Sequence, residues 1–140
     1  MNPVPEGYHT ITPYLIVHDA KAAIDYYRRA FDATERSRHE DEAGRVLHAE
    51  VRIGDSCVML TEENPDWPEW KSARTRGGTP VHLYVYVEDA DAMFQQALAA
   101  GGEELLPMED RDYGDRSGGL TDPFGLVWYI SSRIASAATG

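Results

Sequence analysis

Ile11-Thr12-Pro13-Tyr14-Leu15-Ile16-Val17-His18-Asp19-Ala20 has a counterpart 70 residues on, Val81-His82-Leu83-Tyr84-Val85-Tyr86-Val87-Glu88-Asp89-Ala90. At that spacing Val17/Val87, Asp19/Asp89, Ala20/Ala90, Ala22/Ala92 and Ala30/Ala100 are identical pairs. Each segment has strand character, then meets an aspartate and a helical pattern. Asp19 and Asp89 suit helix N-caps, because a short carboxylate accepts from the first free backbone N–H groups. The spacing predicts a helix over Ala20–Phe31 that buries Ala23, Ile24, Tyr27 and Phe31. It predicts a second over Ala90–Ala100 that buries Met93, Phe94, Ala97 and Leu98, closed by Gly101-Gly102.

Working outward, strands follow each helix. In the first half they are Thr34–His39, Val46–Ile53 and Ser56–Thr61, with turns at Asp41–Gly44 and Gly54-Asp55. In the second they are Glu103–Met108, Ser117–Thr121 and Leu126–Ser131, the last two joined by Asp122-Pro123-Phe124-Gly125. Each half therefore reads β-α-β-β-β, an α+β class. The modules span about 8–62 and 80–132 of a single domain, with a Pro-, Gly- and Trp-rich connector at 63–79 and a frayed tail at 133–140.

Composition bounds the function. The chain has 140 residues, 13 basic and 24 acidic, for a net charge of −11. Such a surface repels nucleic-acid phosphates and anionic membranes, so neither is expected as a partner. One cysteine, Cys57, rules out an intramolecular disulfide and has no basic neighbour in sequence, which argues against a nucleophile. The N-terminus has no basic segment leading into an apolar run, and no stretch is long and apolar enough to span a bilayer. The cytoplasm is the expected address.

Side chains alternate along strands. Leu83, Val85 and Val87 thus oppose His82, Tyr84 and Tyr86. Leu47, Ala49, Val51 and Ile53 oppose His48, Glu50 and Arg52. Ile11, Leu15 and Val17 oppose Thr12 and Tyr14, and Trp128 opposes Tyr129. The second surface, with Met59, is too aromatic for a solvated face and too polar for a core. It reads as a ligand cleft.

These features resemble the vicinal oxygen chelate superfamily, which includes glyoxalase I, bleomycin-resistance proteins, fosfomycin-resistance enzymes and extradiol dioxygenases. The resemblance covers roughly residues 8–132. It is carried by the tandem modules, Thr12-Pro13-Tyr14-Leu15, Ala30-Phe31-Asp32-Ala33, His48-Ala49-Glu50-Val51-Arg52-Ile53-Gly54-Asp55-Ser56 and, most strongly, by 114–125, Gly-Asp-Arg-Ser-Gly-Gly-Leu-Thr-Asp-Pro-Phe-Gly. The motifs are most similar to the PhnB-like branch. The resemblance implies a cupped mixed sheet with helices on its outer face and a homodimer whose two chains complete the clefts. In metal-using members four inward residues hold a divalent ion; carried over by position, they fall on Thr12, Met59, His82 and Tyr129. Only His82 matches the His and Glu of those members, so no metal cofactor is expected. A weaker candidate set is His48, Glu50 and His82, adequate in type and number if the strands are neighbours.

Two functions follow. As a metal-free binding protein of the bleomycin-resistance type, the chain would hold an aromatic or cationic small molecule, as in drug sequestration, against Tyr14, Arg52, Met59, Trp67, Trp70, His82, Tyr84, Tyr86 and Tyr129. Arg116 would clamp an anionic group or instead pair with Asp112, Asp115 or Asp122. As a lyase, isomerase or transferase, it would use Glu50 or His48 as general base. Whether the chain is an enzyme stays open at this point.

Overall fold

The computed structural model describes residues 2–134. The first module is β1 (Tyr14–Val17), α1 (Ala20–Phe31), β2 (Thr34–Glu40), β3 (Val46–Ile53) and β4 (Ser56–Glu62). A one-turn helix, α2 (Ala73–Arg76), lies in the connector. The second module is β5 (His82–Tyr86), α3 (Ala90–Ala99), β6 (Glu103–Asp110), β7 (Asp115–Thr121) and β8 (Val127–Arg133). Each module forms its own four-stranded sheet, in the orders β1-β4-β3-β2 and β5-β8-β7-β6. β1 runs parallel to β4 and β5 parallel to β8, while the other pairs are antiparallel. The 70-residue repeat is thus a repeat of topology, with β1 and β2 at the edges of one sheet and β5 and β6 at the edges of the other.

Local chemistry sets the helices. Asp19 accepts from Ala22 N at 3.1 Å and Asp89 from Ala92 N at 3.0 Å, so both aspartates are N-caps. Past α3, Gly102 N donates to Ala97 O and Gly101 N to Leu98 O, the paired bonds of a Schellman ending. Gly102 also has no room for a side chain. A Cβ there would fall 2.8 Å from the Tyr26 hydroxyl, which donates to Ala97 O.

One core runs through both modules. The helices α1 and α3 pack against each other and each against the sheet of its own module, with Tyr26, Tyr27, Phe31, Phe94 and Trp128 all buried. Phe31 and Trp128 rings lie 4.6 Å apart, joining the end of α1 to β8. Of the residues expected inside α3, Met93 and Leu98 are only partly buried.

Three details correct the sequence expectations. β1 begins at Tyr14, so Ile11 never joins the apolar face and stands 85% exposed. A bulge between His39 and Glu40 shifts the pairing of β3. Val46 takes the core position and Leu47 is displaced, partly exposed. β8 continues through Arg133, so ordered structure reaches into the stretch expected to fray; residues 135–140 lie outside the described part.

Asp122 ties the modules by polar contacts. Its Oδ1 accepts from Phe124 N (2.8 Å) and Leu126 N (3.0 Å), which sets the β7–β8 turn. Its Oδ2 accepts from the Tyr27 hydroxyl of α1 (2.6 Å) and from Trp128 Nε1 (2.8 Å). Burial pushes this carboxyl above the ordinary aspartate range, against the pull of those donors. Asp122→Ala is expected to cost roughly 3–5 kcal/mol, since it strands buried donors on both modules. Urea unfolding checks this, and a loss below about 1 kcal/mol would contradict the role given to the residue.

Candidate functional site

The open face of the second sheet carries a cluster of polar aromatic side chains. Leu83 and Val85 turn toward the core, so alternation sends His82, Tyr84 and Tyr86 to the other side. The parallel register sets Tyr84 beside Tyr129. The rings form a row: His82 to Tyr129 at 5.5 Å, Tyr129 to Tyr84 at 5.7 Å, and Tyr84 to Tyr86 at 5.2 Å. The Tyr129 hydroxyl is 2.9 Å from His82 Nδ1. Gly119 lies beneath Tyr129, where a Cβ would come within 3.1 Å of the ring.

Asp115, at the start of β7, anchors this row. It is 1% exposed. Its Oδ2 accepts from both the Tyr84 hydroxyl (2.8 Å) and the Tyr86 hydroxyl (2.7 Å), and Arg133 donates to Oδ1 at 3.3 Å. The Tyr86 bond, then that of Tyr84 and the Arg133 charge, hold the Asp115 carboxyl below its usual range. Burial first, with the Tyr113 and Asp115 contacts adding to it, pushes Tyr84 up to about 12. The bond to Asp115 raises Tyr86. Both phenols are therefore protonated and donate inward. Sequence reading weighed Asp115 only as a partner for Arg116. The signal it lacked is register: Asp115 faces Arg133 across β7–β8, which no local motif encodes.

The open face of the first sheet is built differently. Glu50 and Met59 are cross-strand partners, as are Met59 and Tyr14. The His48 ring sits 6.0 Å from that of Tyr14, and its Nε2 is 3.4 Å from Glu50 Oε1. The N-terminal segment crosses this face. The Tyr8 hydroxyl is buried toward Glu50, outside full hydrogen-bond geometry, and the Arg36 guanidinium lies 5.5 Å over the Tyr8 ring. Tyr8, and then His48, hold the Glu50 carboxyl below the ordinary glutamate range. Burial and Glu50 push Tyr8 up to about 12. Neither Tyr8 nor Arg36 was a sequence candidate: Tyr8 precedes the first strand, and Arg36 sits on the edge strand β2, away from the motifs that mark the site. Arg36 also donates to Cys57 Sγ at 3.0 Å, which gives Cys57 in space the basic neighbour it lacks in sequence.

The remaining candidates are spread out. Arg52 donates from Nε to Gly54 O. It rims a groove of about 760 Å³ that runs between the modules past the unpaired edge of β5, walled by Phe31, Val58, Leu83, Val85 and Trp128. Arg116 is held by Asp91 in a bidentate pair (2.7 and 2.8 Å) and by Asp110 (3.0 Å), none of them the partners weighed from sequence. Trp67 and Trp70 are exposed on the connector, in one turn closed by Trp70 N to Trp67 O.

The His48/Glu50/His82 set does not assemble within the chain. His48 and Glu50 belong to β3 of one sheet and His82 to β5 of the other. Among the described residues no group of three or more His, Cys, Asp or Glu is placed to hold a metal ion. The positions carried over from the resemblance fit no better. Thr12 precedes β1, and a hydroxyl, a thioether and a phenol hydrogen-bonded to His82 are poor donors for a hard divalent ion.

Comparison with known proteins agrees with the paired-module architecture. The model of the Glyoxalase/Bleomycin resistance protein/Dioxygenase superfamily matches residues 7–130. The chain belongs to this superfamily. An uncharacterized protein of Mycobacterium tuberculosis is 41% identical over 126 residues, covering 89% of this chain and 74% of the relative. The crystal structure of an Arabidopsis thaliana gene product superposes with a TM-score of 0.70 at 25% identity, over 89% of this chain and 98% of that one. The fosfomycin resistance protein FosX of Mesorhizobium loti shares the superfamily fold at a TM-score of 0.65 and 18% identity, over 94% of each chain. No helix among the described residues is long and apolar enough to cross a membrane.

The Asp115 network carries a pH signature. A carboxyl held below its unfolded value adds stability that is complete above about pH 4 and lost as pH falls through the native value. Urea midpoints measured from pH 7 down to 3 are expected to fall less steeply for Asp115→Asn than for the wild type. Parallel curves would contradict the network.

Proposed function

We propose that this protein binds a small aromatic or cationic molecule against the Tyr84/Tyr86/Tyr129 face of its second sheet, without a bound metal. The observation that carries the reading is the ordered row of rings over a buried carboxylate. Tyr84 and Tyr86 remain 42% and 59% exposed although their hydroxyls are fixed from below. Rigid, half-exposed tyrosines offer large contact area at low entropic cost, and their faces attract cations by about 0.5–2 kcal/mol each.

A second copy of the chain supplies the opposite wall in this reading. Tyr14 on β1 and Val81 beside β5 leave apolar surface at one edge of each sheet. Pairing across a two-fold axis covers such surface on both chains at once. The His48/Glu50 face of one protomer then stands across from the tyrosine row of its partner. Sequestration of a drug-like ligand accords with a superfamily that takes part of its name from bleomycin resistance.

Catalysis is the second reading, favoured by the contact between His48 and Glu50. The same surroundings weaken it. Tyr8 and His48 stabilise the Glu50 carboxylate and so lower its appetite for a proton, the reverse of what a general base near neutral pH needs.

Titration of the native protein with 1-naphthylmethylammonium tests the binding reading. Tyr84→Ala is expected to weaken binding roughly three- to thirty-fold, with the probe recovered unchanged. Sedimentation equilibrium is expected to give a dimer. Probe binding that Tyr84→Ala leaves untouched, or a monomer that binds as tightly as the dimer, would refute the respective part.

A further inference from the structure

We propose that Asp115 sets the hydrogen-bond polarity of the tyrosine face, so that the site selects ligands bearing N–H donors, an ammonium or amidinium on an aromatic body. The inference rests on the reading of this face as the binding surface and adds what the face discriminates.

A phenol has one proton to donate and lone pairs to accept with. Tyr84 and Tyr86 both give their proton to Oδ2 of Asp115, at 2.8 and 2.7 Å. With that proton committed, each phenol oxygen has only lone pairs left to offer. The Tyr113 hydroxyl lies 3.4 Å from that of Tyr84, in a contact where either oxygen can donate. Donation into a carboxylate also enriches the rings in electron density, which strengthens their hold on a cation.

Arg133 tempers the charge of Asp115. It donates to Oδ1 of Asp115 and offsets much of the carboxylate's charge, so the face receives the orientation of two hydroxyls more than a net negative field. A quaternary ammonium brings charge but no N–H and uses the ring faces alone. A carboxylate meets lone pairs and is repelled. A neutral alcohol offers one weak donor. An ammonium or amidinium satisfies both the acceptors and the ring faces.

Asp115 thus acts as a positioning residue, and substitution can invert its effect. In Asp115→Asn, Arg133 needs an acceptor and keeps the amide oxygen on its own side. The amide NH2 then faces Tyr84 and Tyr86, donates to both, and turns their protons outward.

The experiment is a four-probe titration of the full chain at pH 7, followed by fluorescence: 1-naphthylmethylammonium, its N,N,N-trimethyl counterpart, 1-naphthalenemethanol and 1-naphthaleneacetate. The wild type is expected to bind the ammonium at least about tenfold more tightly than the trimethyl probe and the alcohol, with the acetate weakest. Asp115→Asn is expected to abolish that preference and raise acetate affinity. Tyr86→Phe keeps the ring and removes one acceptor, so it should narrow the ratio of ammonium to trimethylammonium affinity even if Asp115→Asn fails to fold.

A trimethyl probe that binds as well as the ammonium overturns the proposal, as does an unchanged order in a folded Asp115→Asn variant or an unchanged ratio in Tyr86→Phe. If no probe responds to Tyr84→Ala, the binding surface itself is misassigned. That failure is distinct from one in which probes bind there without discrimination.

Discussion

The carboxylate of Asp122, buried where the two modules meet, is the interaction on which the rest depends. It closes the β7–β8 turn with two backbone bonds and reaches α1 through Tyr27. A buried anion is tolerated only when donors surround it, and here they come from both halves of the chain. The turn it shapes leads directly into β8, whose Trp128 seals the core against Phe31 and whose Tyr129 faces the opposite way. A displacement of this turn would move the floor of the tyrosine row.

The two open faces have diverged in chemistry while keeping one topology. In the first sheet, Glu50 is an acceptor crowded by Tyr8, His48 and Arg36 beneath an N-terminal crossover. In the second, Asp115 sits under the aromatic row rather than among it. The superfamily description spans glyoxalase, bleomycin-resistance and dioxygenase proteins, so the fold alone assigns no reaction. Thr12, Met59 and Tyr129 do not provide a hard-ion ligand set.

Much of the fold was legible in the sequence because its determinants are local. Helix α1 runs over Ala20–Phe31, as its apolar spacing indicates, with Asp19 capping it. β3 spans Val46–Ile53 between two turns whose residues mark them. The errors fall where distant pairing overrides local pattern. Ile11 looks like a strand residue but lies outside β1, and Leu47 loses its core place to Val46 at a bulge in the β2–β3 pairing. Cys57 has no cationic neighbour in sequence, but β2 lays Arg36 against it.

By itself the sequence determined the paired β-α-β-β-β modules, the aromatic and polar composition of one sheet surface, and the poor metal-ligand character of Thr12, Met59 and Tyr129. Periodicity, caps and donor chemistry are properties of residue type and short spacing. Tertiary structure alone decided that Asp115 lies under Tyr84 and Tyr86, that Arg116 is taken by Asp91 and Asp110, and that His82 sits on a different sheet from His48 and Glu50. The reason is physical. Hydrogen-bonded partners such as Tyr84 and Asp115 are 31 positions apart in the chain, and only strand register and module packing bring them within 3 Å.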